Sequence, residues 1–416
     1  MKRRHSLGSE SPHRGWTLGI LLLLALVSAA SRPAAETRLA VDARLATVPF
    51  KMVQGKILLP VRVNGSQIYD FVLDTGSPVM LLAAPELAPA MKLEPGRRLT
   101  LSGAGDGRAP EAWRAEDVTI RIEAQTGLVE LAGQSMFVLA ENPRFGAYLG
   151  VPAYGIIGRE LFDRYIVELD FERLMMTLYA PQHYTYRGSG EVIDIRMVGG
   201  HPHCDGVLVL PNGDRHTLDL VIDSGAGLAL TVIPDRATGL MVPAGAQARR
   251  LGRGLNGEIR GWVSRTPRLE LGELALSEVV TAFAERESGI APRAQANLGA
   301  EILRRFRVIF DYRTRRMILE PSKAIDEPFD IDMSGLLLRA EGTGLDQLII
   351  EQVREGSPAS VVGIEAGDRL LTLDGRQVSL EEATDLLRQR DGYVLPLTVY
   401  RDGRRLAKQL TLKRDV

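Results

Sequence analysis

The stretch Phe71-Val72-Leu73-Asp74-Thr75-Gly76-Ser77 has a counterpart far downstream in Leu220-Val221-Ile222-Asp223-Ser224-Gly225-Ala226. Each reads as a buried apolar strand that stops at a carboxylate, followed by a hydroxyl residue and a glycine that lets the backbone turn sharply. A single Asp-Thr-Gly or Asp-Ser-Gly is common in ordinary turns, where aspartate serves as a turn former or helix cap. Two in matching surroundings point to a duplicated unit.

The surroundings do match. A strand closed by Asn64-Gly65 precedes Asp74, and another closed by Asn212-Gly213 precedes Asp223, both carrying the strongest short hairpin signal. Glycine-rich segments open at Gly103 and Gly252, each 29 positions beyond its aspartate; they include Gly105 in the first and Gly254 and Gly257 in the second. Further on, Gly155-Ile156-Ile157-Gly158 corresponds to Asn297-Leu298-Gly299, and Asp170 and Asp311 each follow the last glycine by 12 positions. Short helices are expected over 160–164 and 301–305.

Asp74-Thr75-Gly76-Ser77, Asp223-Ser224-Gly225-Ala226, Ile156-Ile157-Gly158 and Asn297-Leu298-Gly299 together resemble the aspartic proteases, specifically the retropepsin-like group, with Asn297 in place of an apolar residue. The resemblance implies a mainly β fold with two pseudo-twofold-related β-barrel lobes in one polypeptide. Asp74 and Asp223 would then form the catalytic pair, sharing one proton so that one carboxyl activates water while the other acts as acid. It further implies that Thr75 and Ser224 cross-link the two loops and that Gly76 and Gly225 supply NH groups to the carboxylates. Gly103, Gly105, Gly254 and Gly257 mark candidate flaps, with ordinary surface loops as the alternative.

The remainder is of another kind. Gly335-Leu336-Leu337-Leu338, then Gly356-Ser357-Pro358-Ala359, then Ala366-Gly367-Asp368 and a strand ending at Asp374-Gly375 resemble a PDZ domain of the bacterial protease-associated type, with residues 380–390 as its groove helix. The resemblance implies a groove at Gly335, Leu336, Leu337 and Leu338 that takes the C-terminus of a peptide or protein as an added strand, its carboxylate held by backbone NH groups.

The 416 residues carry 51 basic and 52 acidic side chains, with no basic block beside aromatics, so nothing points to nucleic acid. A basic start, an apolar run from Leu18 to Val27 and small residues after it have the layout of a signal peptide or an N-terminal membrane tether, hence an exported protein. Cys204 is the only cysteine, which excludes an intrachain disulfide. His201-Pro202-His203-Cys204 offers metal-ligand chemistry but lacks an evident fourth ligand, and reads as a loop entering the second lobe. No Gly-x-Ser-x-Gly or His-Glu-x-x-His motif occurs, which disfavours serine hydrolase and zinc protease readings.

The expected organisation is a signal peptide or anchor over 1–30, a linker over 31–49, a first lobe over 50–181, a join over 182–190, a second lobe over 191–321, a linker over 322–332 and a PDZ domain over 333–416. The expected function is that of an aspartic endopeptidase acting on peptides or unfolded proteins without metal or cofactor. The alternative is a non-catalytic peptide-binding protein that keeps the cleft.

Overall fold

The computed structural model describes residues 43–285 and 294–416. The signal peptide or anchor expected over 1–30 lies outside them; among the described residues, no helix is long and apolar enough to cross a membrane.

The duplication is visible strand by strand. In the first lobe one sheet runs Lys51–Val53, Lys56–Val63, Tyr69–Leu73, Gly155–Ile157, Met80–Leu82, Val129–Leu139, Glu111–Ile122, Arg98–Thr100. In the second the order is Arg196–Val198, His201–Val209, Arg215–Asp223, Ala296–Gly299, Leu230–Val232, Leu274–Ala284, Gly257–Leu271, Gln247–Gly254. Each sheet closes on itself, through Lys56–Val63 with Glu111–Ile122 and through His201–Val209 with Gly257–Leu271, so each lobe is a six-stranded barrel with two flanking strands. The molecule is mainly β, as the short alternating strands required. At the first hairpin Asn64 and Gly65 both take positive φ, 49° and 75°, the conformation that makes Asn-Gly the favoured pair.

A third sheet joins the lobes, in the order Arg44–Pro49, Met175–Tyr179, Ile166–Asp170, Phe306–Asp311, Arg316–Pro321, Glu191–Asp194. Its central pair, Ile166–Asp170 with Phe306–Asp311, takes one strand from each lobe. Phe162 stacks on Tyr312 and meets Phe310 edge-on, with ring centroids 5.3 Å apart in both cases, so apolar burial follows the same seam.

Two expected linkers are corrected. Arg44–Pro49, placed in the linker over 31–49, is a strand paired with Met175–Tyr179, and Ala46 and Val48 are buried. Residues 322–332 form a packed strap: Ile325, Phe329 and Ile331 lie against the core. Fully buried Arg305 donates to the carbonyls of Ala324, Ile325, Glu327 and Pro328, and its guanidinium stands 3.6 Å from the Phe329 ring centroid. Composition alone read as a loop because the residue that orders it lies some 20 positions upstream.

The short helices fall at Arg159–Arg164 and Ala300–Leu303, each opened by the glycine of its apolar-Gly element. The C-terminal unit is a five-stranded sheet, Leu336–Glu341, Gln347–Val353, Arg369–Leu373, Val394–Arg401, Arg404–Thr411, with its own apolar core. Its helix Leu380–Leu386 starts on a capping box in which Ser379 and Glu382 satisfy each other's backbone NH groups. Replacing Arg305 by Met should lower the unfolding free energy by about 3 kcal/mol, since several buried carbonyls lose their donor. Chemical denaturation of Arg305→Met against the parent protein measures this, and a loss within error would show the strap to be held otherwise.

Candidate active site

Asp74 lies just past Tyr69–Leu73 and Asp223 ends Arg215–Asp223; each of these strands pairs in parallel with a short strand of its own lobe, Gly155–Ile157 or Ala296–Gly299. Asp74 N donates to Ile157 O at 2.9 Å, so the apolar-Gly element fixes where the aspartate leaves the sheet.

The two loops then grip one another. Thr75 Oγ1 donates to Ile222 O at 2.8 Å and accepts from Ser224 N at 2.9 Å; Ser224 Oγ donates to Leu73 O at 3.0 Å and accepts from Thr75 N at 3.0 Å. Both side chains are fully buried, so each hydroxyl uses donor and acceptor capacity away from competing water. The grip brings the carboxyls together. A Cβ on Gly76 would stand 2.7 Å from the Asp223 carboxyl carbon, and one on Gly225 would come closer still to that of Asp74, so only glycine fits at either place.

The carboxyls are dressed unequally. Gly76 N donates to Asp74 Oδ1 at 2.8 Å, whereas Asp223 accepts from Ala226 N at 2.9 Å and from Asn297 Nδ2 at 2.9 Å. The NH reaching Asp223 is thus that of Ala226 and not of Gly225, whose contribution is space. Burial first, then the charge of Asp223 and the hydrogen bond to it, pushes the Asp74 carboxyl up to about 8. The pair therefore titrates as a coupled unit, with a proton held on the Asp74 side through neutral pH.

Other groups at the seam were given no role there by the sequence. Asn297 stood out only as a polar residue in an apolar pattern. Lys56, beside the Gln54-Gly55 turn, directs its ammonium to Gly225 O. His201 Nδ1 lies 2.8 Å from Gly76 O. The expected loop at 201–204 belongs instead to the strand His201–Val209, because its backbone pairs with Arg196–Val198 on one side and Arg215–Asp223 on the other. His203 Nδ1 lies 3.0 Å from Asp219, and burial pushes the Cys204 thiol up to about 12, leaving it a core side chain. These side chains do not converge on one point.

The glycine-rich segments sit at equivalent places in the two lobes and touch. Asp106 N donates to Glu258 O at 2.9 Å and Asn256 N to Ala104 O at 2.8 Å, while Leu255 packs on the first-lobe cluster of Leu81, Ala83, Ala112 and Leu139. Gly103, Gly105, Gly254 and Gly257 thus permit close backbone approach between lobes.

At the C-terminal unit the groove residues are already engaged. Gly335 N donates to Asp332 Oδ2 at 2.7 Å and Leu336 N to Ser334 Oγ at 3.0 Å, so an internal carboxylate takes the NH expected to hold an incoming C-terminus. Leu336 and Leu338 point into the core, whereas Leu337 alternates outward. The first-lobe helix Phe145–Leu149 packs against Leu336–Glu341; Gly150 abuts Leu380, and Tyr148 donates to Glu351 at 3.0 Å. Among the described residues, no strand pairs with the outer edge of Leu336–Glu341.

Residues 349–401 match the PDZ domain family. Over 81 residues in the PDZ region the protein is 32% identical to the serine endoprotease DegS of Escherichia coli, in strain K12 and in O157:H7 alike, a match covering 18% of this sequence and 23% of the relative. The match therefore spans about a quarter of the length of these relatives. The protein is also 25% identical to the solved photosystem II D1 C-terminal processing protease, over 21% of this sequence and 24% of that one, with a TM-score of 0.19. On these findings the expectation of an aspartic endopeptidase, with its retropepsin-like and aspartyl protease labels, is withdrawn as the assignment of the protein, because the named curated relatives are serine endoproteases. The PDZ domain stands.

Replacing Thr75 by Val or Ser224 by Ala should each cost about 2 kcal/mol of stability, and the double variant less than the sum, because the two hydroxyls brace the same pair of loops. A double-mutant cycle by chemical unfolding checks this; strict additivity would mean the two loops do not support each other.

Proposed function

We propose that the protein is a peptidase whose chemistry takes place at the seam between the lobes, with Asp74 and Asp223 as the reacting groups. The DegS match lies in the PDZ region, so this reading of the lobes rests on their own side chains. The observation that carries it is a half-buried carboxyl pair, clamped from both lobes by buried hydroxyls, in which Asp74 is held at about 8 beside Asp223. Such a pair supplies a base and an acid at one point. One carboxylate takes a proton from water as the water adds to the peptide carbonyl, and the protonated partner donates to the carbonyl oxygen; the leaving nitrogen is protonated as the C–N bond breaks. Asn297 and Ala226 each donate to Asp223, and Asp74 holds its proton to about 8, which assigns Asp223 the base role and Asp74 the acid role.

Serine chemistry finds no counterpart at this seam. Among the described residues, no serine hydroxyl hydrogen-bonds a histidine ring: Ser224 is spent on Leu73 and Thr75, Ser77 on Val79, His201 faces Gly76 and His203 faces Asp219. The glycine segments that interlock across the lobes would act as paired flaps over an extended substrate. The PDZ domain would take part in binding peptide or unfolded protein, and the N-terminal apolar run would export or tether the protein.

Cleavage of an unfolded protein by the full-length protein tests the reading. Asp74→Asn and Asp223→Asn should each lower kcat/KM by roughly 10³-fold, while a fluorophosphonate that traps catalytic serines should leave the rate unchanged. Activity in the parent protein should fall as pH rises through about 8, where Asp74 loses its proton. Undiminished cleavage in either variant, or inactivation by the serine reagent, contradicts the proposal.

A further inference from the structure

Lys56 is a cation placed beside a carboxyl pair, and nothing in the chemistry just described uses it. It follows directly on a two-residue turn, Gln54-Gly55, with φ of 48° and 71°, joining Lys51–Val53 to Lys56–Val63. From that turn two side chains reach in different directions. Lys56 Nζ donates to Gly225 O, in the loop that carries Asp223. Gln54 Nε2 donates at 3.1 Å to Thr384 Oγ1 on the PDZ helix Leu380–Leu386, and Thr384 in turn donates to Leu380 O at 2.8 Å. One rigid turn therefore spans from the PDZ helix to the carboxyl pair.

Resting on the peptidase reading, we infer that Lys56 is a positioning residue that sets the proton affinity of the Asp74–Asp223 pair, and that the PDZ helix holds it there through Gln54. The titratable groups facing this point are Asp74 and Asp223 from the two loops, with His201 near Asp223. Burial lowers the proton affinity of Lys56 itself, against which Asp223 and then Asp74 hold the ammonium in place, and its charge in turn favours the ionised form of Asp74, offsetting part of the upward push on that carboxyl from burial and from Asp223. Its anchor is a backbone carbonyl, so it acts on both carboxylates without neutralising either by a direct ion pair. The PDZ contact adds a consequence: whatever moves the helix Leu380–Leu386 against Gln54 also moves the charge beside the pair.

The test follows the carboxyl carbon of Asp74 by NMR in full-length protein labelled at aspartate, with the resonance identified by its loss in Asp74→Asn. In the parent protein it should titrate at about 8. Removing the cation in Lys56→Met should raise that midpoint by about one pH unit, the size expected for an opposite charge a few ångströms away. Lys56→Arg should restore it, and Gln54→Ala and Thr384→Val should each shift it in the same direction by less. The basic limb of the cleavage profile should move upward with the midpoint, because cleavage needs Asp74 protonated. An unmoved midpoint in Lys56→Met overturns the inference about Lys56; an unmoved midpoint in both Gln54→Ala and Thr384→Val overturns the role of the PDZ helix. Absence of cleavage in the parent protein would count against the peptidase reading alone, since the titration is read without substrate.

Discussion

Thr75 and Ser224 make four hydrogen bonds across the boundary between two lobes, two with each other and two to Ile222 O and Leu73 O, and most of the molecule can be understood as what that grip demands. Each hydroxyl reaches the backbone of the other loop only if the loops leave their sheets at matching points, which the parallel pairings with Gly155–Ile157 and Ala296–Gly299 secure. The loops approach closely only if the residue after each hydroxyl has no side chain, hence Gly76 and Gly225. The lobes keep their relative placement only if something larger holds them, and the six-stranded sheet with its Phe162, Phe310 and Tyr312 cluster does so. A small polar contact is thereby supported by extensive apolar burial, which is the order of magnitudes that folding energetics requires.

The electrostatics follow from the same closeness. Two carboxyls forced together in a half-buried seam cannot both ionise at little cost, so the proton one of them retains is a property of the seam rather than of either lobe. Asn297 and Ala226 on one side, against Gly76 alone on the other, break the symmetry that duplication would otherwise leave. Lys56 adds a third charge from a turn that also touches the PDZ helix.

Much of this was legible in the sequence. The repeated offsets, from each aspartate to its glycine-rich segment and from each apolar-Gly element to the aspartate that follows it, place equivalent parts at equivalent positions, and the structure gives them the same strand order. The PDZ pattern is equally local. What the sequence hid depends on partners distant along the polypeptide: Arg44–Pro49 becomes a strand because Met175–Tyr179 offers an edge, and the strap after Pro321 is ordered by Arg305. Asn297 read as a flaw in a strand because the strand pattern does not reveal Asp223 beside it. Lys56 and Gln54 look like any polar hairpin until a second and a third structural unit are packed on either side. The protease-class label drawn from the motifs did not survive comparison with named relatives, whereas the geometry of the two aspartates was read without them.

The central claim is that two carboxyls from separate lobes share one hydrogen-bonded site. A crystal structure of the full-length protein near pH 6 measures it directly. The account predicts a closest oxygen-to-oxygen separation between Asp74 and Asp223 of about 2.6–3.2 Å, within hydrogen-bond reach, with the Thr75 and Ser224 hydroxyls crossed between the loops. Carboxyls separated by more than about twice that distance, with each hydroxyl bonded inside its own lobe, would contradict it.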